Sequence, residues 1–168
     1  MPRSFSFLIL ALALNSSCHP NDSASLTTAQ YSIVQDSVLQ MASQIAADVS
    51  RDGPIAWLRH FADTTVFFMA SDGQLMFPNY DSASIFIRNK LVKMISKIEL
   101  SWSDIRVDPL TAELAVMAAS YKEVLTDSAG HIMPLSGSGY FTAVAQQTSH
   151  GWQLRNAHWS SLPATPGL

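Results

Sequence analysis

Charged residues and cysteine are both scarce in this 168-residue chain. Lys and Arg together number 10, Asp and Glu number 13, and the formal net charge is -3 at pH 7. Nucleic-acid binders usually meet the phosphate backbone with a clustered surplus of basic residues, so we expect no nucleic acid among the partners. A single cysteine excludes an internal disulfide framework and a zinc site built from several cysteines of one chain.

The motifs of several enzyme classes are also missing. The five histidines show neither HxH nor HExxH spacing, so we expect no metal site and no cofactor. No GxSxG sequence occurs, which argues against a nucleophile of the Ser-His-Asp type. The glycine-rich segment 136–139 lacks the lysine and the helix of a phosphate loop, and we interpret it as a bend or a closely packed stretch of strand.

The chain begins with an apolar run. Arg3 precedes this run at 5–14, and polarity rises abruptly after it. The run is too short to span a bilayer as a stable helix, but it fits the hydrophobic part of a secretory signal. The only cysteine, Cys18, stands just beyond it.

The residues around Cys18 resemble the lipobox of bacterial lipoproteins, because two small serines precede a cysteine that could carry diacylglycerol. The resemblance implies a signal peptide at 1–17, a lipidated Cys18 and a tether at 18–27 that holds a lipoprotein at the bacterial cell envelope. Asn15 occupies a position that is apolar in the lipobox, so ordinary cleavage to a periplasmic or secreted protein is an alternative. A buried N-terminal helix with an incidental thiol is a further alternative.

Helices are predicted first along the rest of the chain. Apolar residues recur every three or four positions from Tyr31 to Val49, which predicts a core-facing helix that Thr27 or Thr28 caps and Gly53 ends.

Two further helices and a hairpin follow. A short second helix carries Trp57 and Phe61, and a third begins with Asp81 as its cap. Between them, an Asp-Gly pair favours a tight turn that joins strands at 64–69 and 74–77.

After the third helix the apolar pattern changes to a period of two, which indicates β-strands. Its parity moves from even to odd positions near Ser103 or Asp104, so we expect a β-bulge that bends the strand there. Strands at 113–126 and 132–146 are expected to pair around a turn, and 151–161 forms the last strand. Helices followed by an antiparallel meander predict an α+β domain.

This element order, the bent strand and the final segment 151–160 resemble the nuclear transport factor two-like superfamily, in particular its SnoaL-like members and related bacterial domains without assigned function. The segment 61–63 is similar to the point where the second helix of that family gives way to its first strand. The resemblance places the domain at 28–162, followed by a tail at 163–168. It implies a cone-shaped, curved antiparallel sheet wrapped around three N-terminal helices, with a central cavity.

Activities in that superfamily include ketosteroid isomerisation, scytalone dehydration, polyketide cyclisation and epoxide hydrolysis, besides members that only bind or assemble. The fold therefore does not select a reaction. Proton transfer in such a cavity needs a carboxylate or an imidazole and a donor for an oxyanion. Asp63 and His158 are the candidate catalytic groups, with a turn-capping Asp63 and a structural His158 as the alternatives. The candidate ligand-binding residues, each of which could instead be ordinary core or dimer surface, are Trp57, Phe61, Tyr80, Trp102, Tyr121 and Tyr140.

Three functions are compatible with the sequence. The leading hypothesis is a secreted, lipid-anchored domain that holds a small apolar molecule and attaches to the membrane through the lipid. The second is a cofactor-independent isomerase, dehydratase or cyclase. The third is a homodimerisation or partner-docking module whose cavity is filled. An open cavity with two converging polar groups would favour the enzyme, and an open apolar cavity without them would favour binding.

Overall fold

The computed structural model describes residues 25–162. These residues form an N-terminal helical part followed by one six-stranded sheet. The signal-like run, Cys18 and the tail at 163–168 lie outside the described residues. Across residues 25–162, the helices are either too short or too polar to cross a membrane.

The first helix, α1, spans Thr28–Asp52, as the sequence predicts. Thr27 caps it reciprocally with Gln30: Oγ1 of Thr27 accepts from the Gln30 backbone N–H at 3.2 Å, and Oε1 of Gln30 accepts from the Thr27 N–H at 3.0 Å. Gly53 ends the helix at a φ of +72°, which a residue with a side chain rarely adopts. Its core-facing stripe consists of Val34, Val38, Met41, Ala42, Ile45 and Val49.

Short helical segments follow α1. A 3₁₀ turn, Gly53–Ala56, leads into α2, Trp57–His60. The third helix, α3, spans Tyr80–Phe86 and continues through a π-helical segment, Ile87–Leu91, into a last turn, Val92–Met94. These segments cover one end of the sheet.

The expected capping role of Asp81 is wrong. Asn79 caps α3, because its backbone is still extended and its Oδ1 accepts from the Ser82 N–H at 2.9 Å. Asp81 already lies inside the first turn, where its negative charge favours the helix dipole instead.

Six strands form a single curved sheet in the order β2-β1-β6-β5-β4-β3. Neighbouring strands are antiparallel except for β1 and β6, which are parallel. The strands are β1, Phe68–Ser71; β2, Gln74–Phe77; β3, Lys97–Pro109; β4, Leu114–Thr126; β5, Gly137–Thr148; and β6, Gly151–Ser161. The predicted hairpin turn between β1 and β2 is confirmed, although β1 begins later than expected. β5 also begins later, because residues 132–136 make only an isolated bridge and a turn before it.

The predicted bend in β3 is confirmed. The pairing of β3 with β4 shifts register between Ser103 and Arg106, and Asp104 has a φ of +50°. The bend lets the sheet curl around α1, and the indole N–H of Trp102 donates to the carbonyl of Ala42 on that helix at 3.0 Å. The architecture is therefore the expected α+β fold, with the core between α1 and the concave face of the sheet.

Candidate functional site

A cavity of about 290 Å³ lies between the concave face of the sheet, α2 and α3. Trp57 from the start of α2 and Phe61 just beyond its end form one wall. Phe86 from α3 and Trp159 from β6 contribute further apolar surface. The volume is at the small end of the range for ligand pockets, so the cavity suits a compact molecule.

Trp159 is the centre of the aromatic wall. Its ring centroid lies 4.6 Å from that of Phe141 and 4.8 Å from that of Tyr121, the latter in a T-shaped arrangement. Trp57 meets it edge to face at 5.6 Å, and Trp102 stacks on it at 5.7 Å. Such pairs hold one another in fixed orientations, so the wall is preorganised.

Strand register determines which polar groups enter the cavity. Tyr121 on β4 lies opposite Gly139 on β5, and Glu123 lies opposite Gly137. Residues directly paired across strands share a face, so Tyr121 and Glu123 both point to the concave side. A Cβ at Gly139 would collide with the Ser160 carbonyl and the Tyr121 ring, which confirms the predicted close packing there. At Gly137 a Cβ would meet no atom within 4 Å, so the cavity extends over this residue.

Glu123 is the polar group that the sequence analysis missed. It lines the cavity and is half-buried, and burial raises the pKa of its carboxyl to about 7. Among residues 25–162 no hydrogen bond or ion pair is made to this carboxyl. The alternation of β4 could have indicated its position, because Glu123 lies two residues after Tyr121 and so points to the same face.

A second polar group lies at the cavity mouth, in the turn between β1 and β2. Oδ1 of Asp72 accepts from the Ser161 backbone N–H at 2.7 Å, and Oδ2 accepts from the Ser161 hydroxyl at 3.0 Å. These bonds hold the pKa of Asp72 below its usual range. The Tyr121 hydroxyl lies 3.4 Å from the same serine oxygen, so Ser161 links the two groups.

Searches with the sequence find no matching family model and no matching curated protein. Solved structures do match. A Nuclear transport factor 2 (NTF2-like) superfamily protein from Salmonella enterica aligns with a TM-score of 0.64 at 15% identity, over 82% of this chain and 96% of that one. The fold is NTF2-like.

Two further matches differ in the function that their names give. A Novosphingobium aromaticivorans protein provisionally assigned as a scytalone dehydratase has a TM-score of 0.69 at 9% identity, over 83% of this chain and 91% of that one. An NTF-2 like protein of unknown function from Shewanella oneidensis has a TM-score of 0.55 at 13% identity, over 75% and 98%. At such identities the likeness shows the fold alone.

Of the expected ligand-binding residues, Trp57, Phe61 and Tyr121 line the NTF2-like cavity. Trp102 does not line it but lies behind Trp159. Tyr80 also lies elsewhere: its hydroxyl donates to the Leu58 carbonyl at 3.4 Å beside a separate surface groove.

Tyr140, another of the expected ligand-binding residues, does not share a face with Tyr121. Gly139, not Tyr140, lies opposite Tyr121. Tyr140 pairs with Ser120 and Ser160 on the convex face and is 42% exposed. It therefore contributes nothing to the wall of this cavity.

The expectation that His158 faces the cavity is wrong as well. β6 carries one extra residue, Arg155, because Val144 pairs with Asn156 whereas Ala145 pairs with Leu154. This bulge reverses the alternation, so Trp159 points inward and His158 points to the convex face.

Asp63 is exposed and lies outside the cavity. The chain leaves α2 in an extended conformation at Phe61, which bridges to Leu154, and Asp63 follows at the surface. It borders the same groove as Tyr80. Neither candidate catalytic residue therefore reaches the volume that a ligand would occupy.

His60 is buried outside the cavity, with Nε2 3.1 Å from Oδ2 of Asp48 on α1. Burial lowers the pKa of His60, so the neutral imidazole is favoured despite that carboxylate. The pair ties α2 to α1 and is structural. Within residues 25–162 the His, Cys, Asp and Glu side chains form no group of three that could hold a metal ion.

Proposed function

We propose that this protein holds a small, largely apolar molecule in its central cavity. The observation that supports this proposal is a pocket of about 290 Å³ that is partly open to solvent and is lined mainly by aromatic and aliphatic side chains with a few polar groups. A concave, mostly apolar pocket with a few convergent polar groups is typical of a ligand site. A module with a filled cavity, the third hypothesis, is disfavoured by the same observation.

The cavity itself offers the test. A leucine at Gly137 would project into the open volume, where a Cβ meets no atom within 4 Å. We expect Gly137→Leu to weaken binding at least about tenfold across a panel of small aromatic and aliphatic compounds. Because Trp57 and Trp159 line the cavity, tryptophan fluorescence reports the binding.

The matched control is Ser138→Leu. It adds a leucine to the adjacent residue of β5, whose side chain points to the opposite face beside Lys122. This control should bind as the wild type does. If no compound of the panel binds the wild type more tightly than Gly137→Leu, the proposed function is wrong.

The second candidate is a cofactor-independent isomerase or dehydratase. The observation that favours it is Glu123, a carboxyl with a pKa of about 7 in the same cavity as the Tyr121 hydroxyl. General acid–base groups work best with a pKa near the operating pH. On this hypothesis Glu123 takes the role first given to Asp63 and His158.

We propose a localisation at the bacterial cell envelope from the sequence. The apolar run at 5–14 and the serines before Cys18 support export and lipid attachment at the bacterial cell envelope. A diacylated terminus would hold the domain at the membrane, because more than one acyl chain is needed for stable anchoring.

A further inference from the structure

Within residues 25–162, no lysine, arginine or histidine forms an ion pair with Glu123. Its neighbours across the strands are Leu100 on β3 and Gly137 on β5, neither of which can compensate a charge. The titratable residues that line the described cavity are Asp72, Tyr121 and Glu123, with no lysine, arginine or histidine among them. A desolvated carboxylate without a partner is unfavourable, so a cation that entered the cavity would compensate it.

The surroundings of Glu123 also favour a cation. Asp72, whose pKa is lowered by its bonds from Ser161, adds a second negative charge at the mouth. Trp57 and Trp159 line the same cavity, and indole rings attract cations through their quadrupoles. An anionic ligand would instead meet two carboxylates and no basic group.

We infer that the ligand is a small amine with an apolar body, whose ammonium group pairs with the Glu123 carboxylate while the body packs among Trp57 and Trp159. This inference rests on the proposed function, because it names the chemical class held in the same cavity. A volume of about 290 Å³ accommodates a compact arylalkylamine rather than a steroid-sized molecule.

The pairing makes the affinity depend on pH in a defined direction. Burial raises the pKa of Glu123 to about 7, whereas a primary ammonium group titrates near pH 10. Asp72 is ionised throughout this range, so Glu123 alone changes charge. Amine binding should therefore tighten as pH rises through 7, and it should be about tenfold weaker at pH 6 than at pH 8.5.

Four probes of similar size test the inference by calorimetry on the whole chain: phenethylamine, phenethyl alcohol, phenylacetate and benzylacetone. At pH 8.5 we expect phenethylamine to bind at least about tenfold more tightly than the alcohol, and phenylacetate to bind most weakly. Glu123→Gln, which keeps the shape and removes the charge, should abolish the preference for the amine. Glu113→Gln removes an exposed charge just before β4 begins and should leave the preference intact.

Equal affinities for amine and alcohol in the wild type would overturn the inference while leaving the proposed function standing. If no probe binds and none distinguishes Gly137→Leu from the wild type, both fail. Exchange of the α-protons of benzylacetone in deuterated water, lost in Glu123→Gln and accompanied by no preference for the amine, would instead identify the acid–base enzyme.

A measurement on the wild type makes the test independent of how well Glu123→Gln folds. The carboxyl ¹³C resonance of Glu123 reports its pKa with and without phenethylamine. Saturating amine should lower that pKa by at least about one unit, since an adjacent cation favours the ionised form. An unchanged pKa at saturation would overturn the inference.

Discussion

At the scale of single residues, Glu123 lies in an environment that disfavours its charged form. Charged side chains of a strand usually face water, yet this one enters an aromatic cavity between Tyr121 and the open space at Gly137. Groups with pKa values shifted by burial often occur at functional sites. In the sequence nothing singles out Glu123, because a glutamate beside Lys122 is typical of a solvated stretch of strand.

The raised pKa of Glu123 also predicts how stability depends on pH. The folded protein holds this proton up to about pH 7, whereas the unfolded chain releases it near the ordinary value of 4.5. The free energy of unfolding of the wild type therefore falls as pH rises from about 4.5 to 7. At pH 8 the free energy of unfolding of Glu123→Gln should exceed that of the wild type by about 1–3 kcal/mol. Urea unfolding measured at pH 4 and pH 8 checks this, with the two proteins alike at pH 4, below the unfolded pKa of Glu123.

Glu113→Gln is again the matched control, and its stability should follow that of the wild type at both pH values. Parallel stability curves for the wild type and Glu123→Gln would show that the folded state does not raise the pKa of Glu123.

At the scale of elements, the bulge in β3 determines the curvature of the sheet. Asp104 lies in this bulge with a φ of +50°, and its side chain is exposed. A substitution there should therefore affect stability through the backbone conformation rather than through lost side-chain contacts. Asp104→Val should lower the free energy of unfolding by about 1–2 kcal/mol, because a β-branched residue is strained in the left-handed region, and Asp104→Gly should be neutral or stabilising. Thermal unfolding of the two variants makes the measurement.

Ser101→Val, at an exposed position of the same strand outside the bulge, should change stability by no more than about 0.5 kcal/mol. If Asp104→Val and Asp104→Gly unfold alike, the backbone at this residue is not strained in the way described.

The two bulges differ in how readily the sequence reveals them. In β3 the apolar parity changes within the strand itself, from Trp102 to Val107, and that change predicted the bend. In β6 both parities carry apolar residues, since Leu154 and Trp159 face inward with four residues between them. The extra residue in β6 is recognised only from the pairing of β6 with β5. The direction of the His158 side chain therefore depends on pairing between strands and could not be predicted from the local pattern.

At the scale of the whole molecule, local sequence pattern predicted the element order, whereas the cavity and three of its lining residues were expected only from the family resemblance. Helix stripes, turn residues and strand alternation are local and specified the α+β order. The cavity depends on side chains brought together from α2, α3 and four strands, and on the missing side chain at Gly137. Local sequence pattern carries little information on the position of such a cavity. Asp63 was therefore expected to face the cavity, whereas it lies at the surface outside it.

Attachment to the membrane is a property of the whole chain. Cys18→Ser removes the proposed site of lipidation, so the protein should move to the soluble fraction or stay unprocessed. Fractionation of cells and the intact mass of the mature protein check this outcome. A processed, membrane-bound Cys18→Ser protein would contradict lipid anchoring, and Ser16→Ala, which keeps a small residue before the cysteine, should behave as the wild type.

The extra residue in β6 has a consequence for how such chains diverge. Without Arg155, Leu154 and Asn156 would be consecutive and would still lie opposite Ala145 and Val144 in an ordinary ladder. The strand can therefore gain or lose one residue at this point while Trp159 stays inward. We therefore expect the last strand to tolerate a change of length by one residue at this point. An ungapped alignment of two chains that differ in this way would compare cavity residues of one with surface residues of the other.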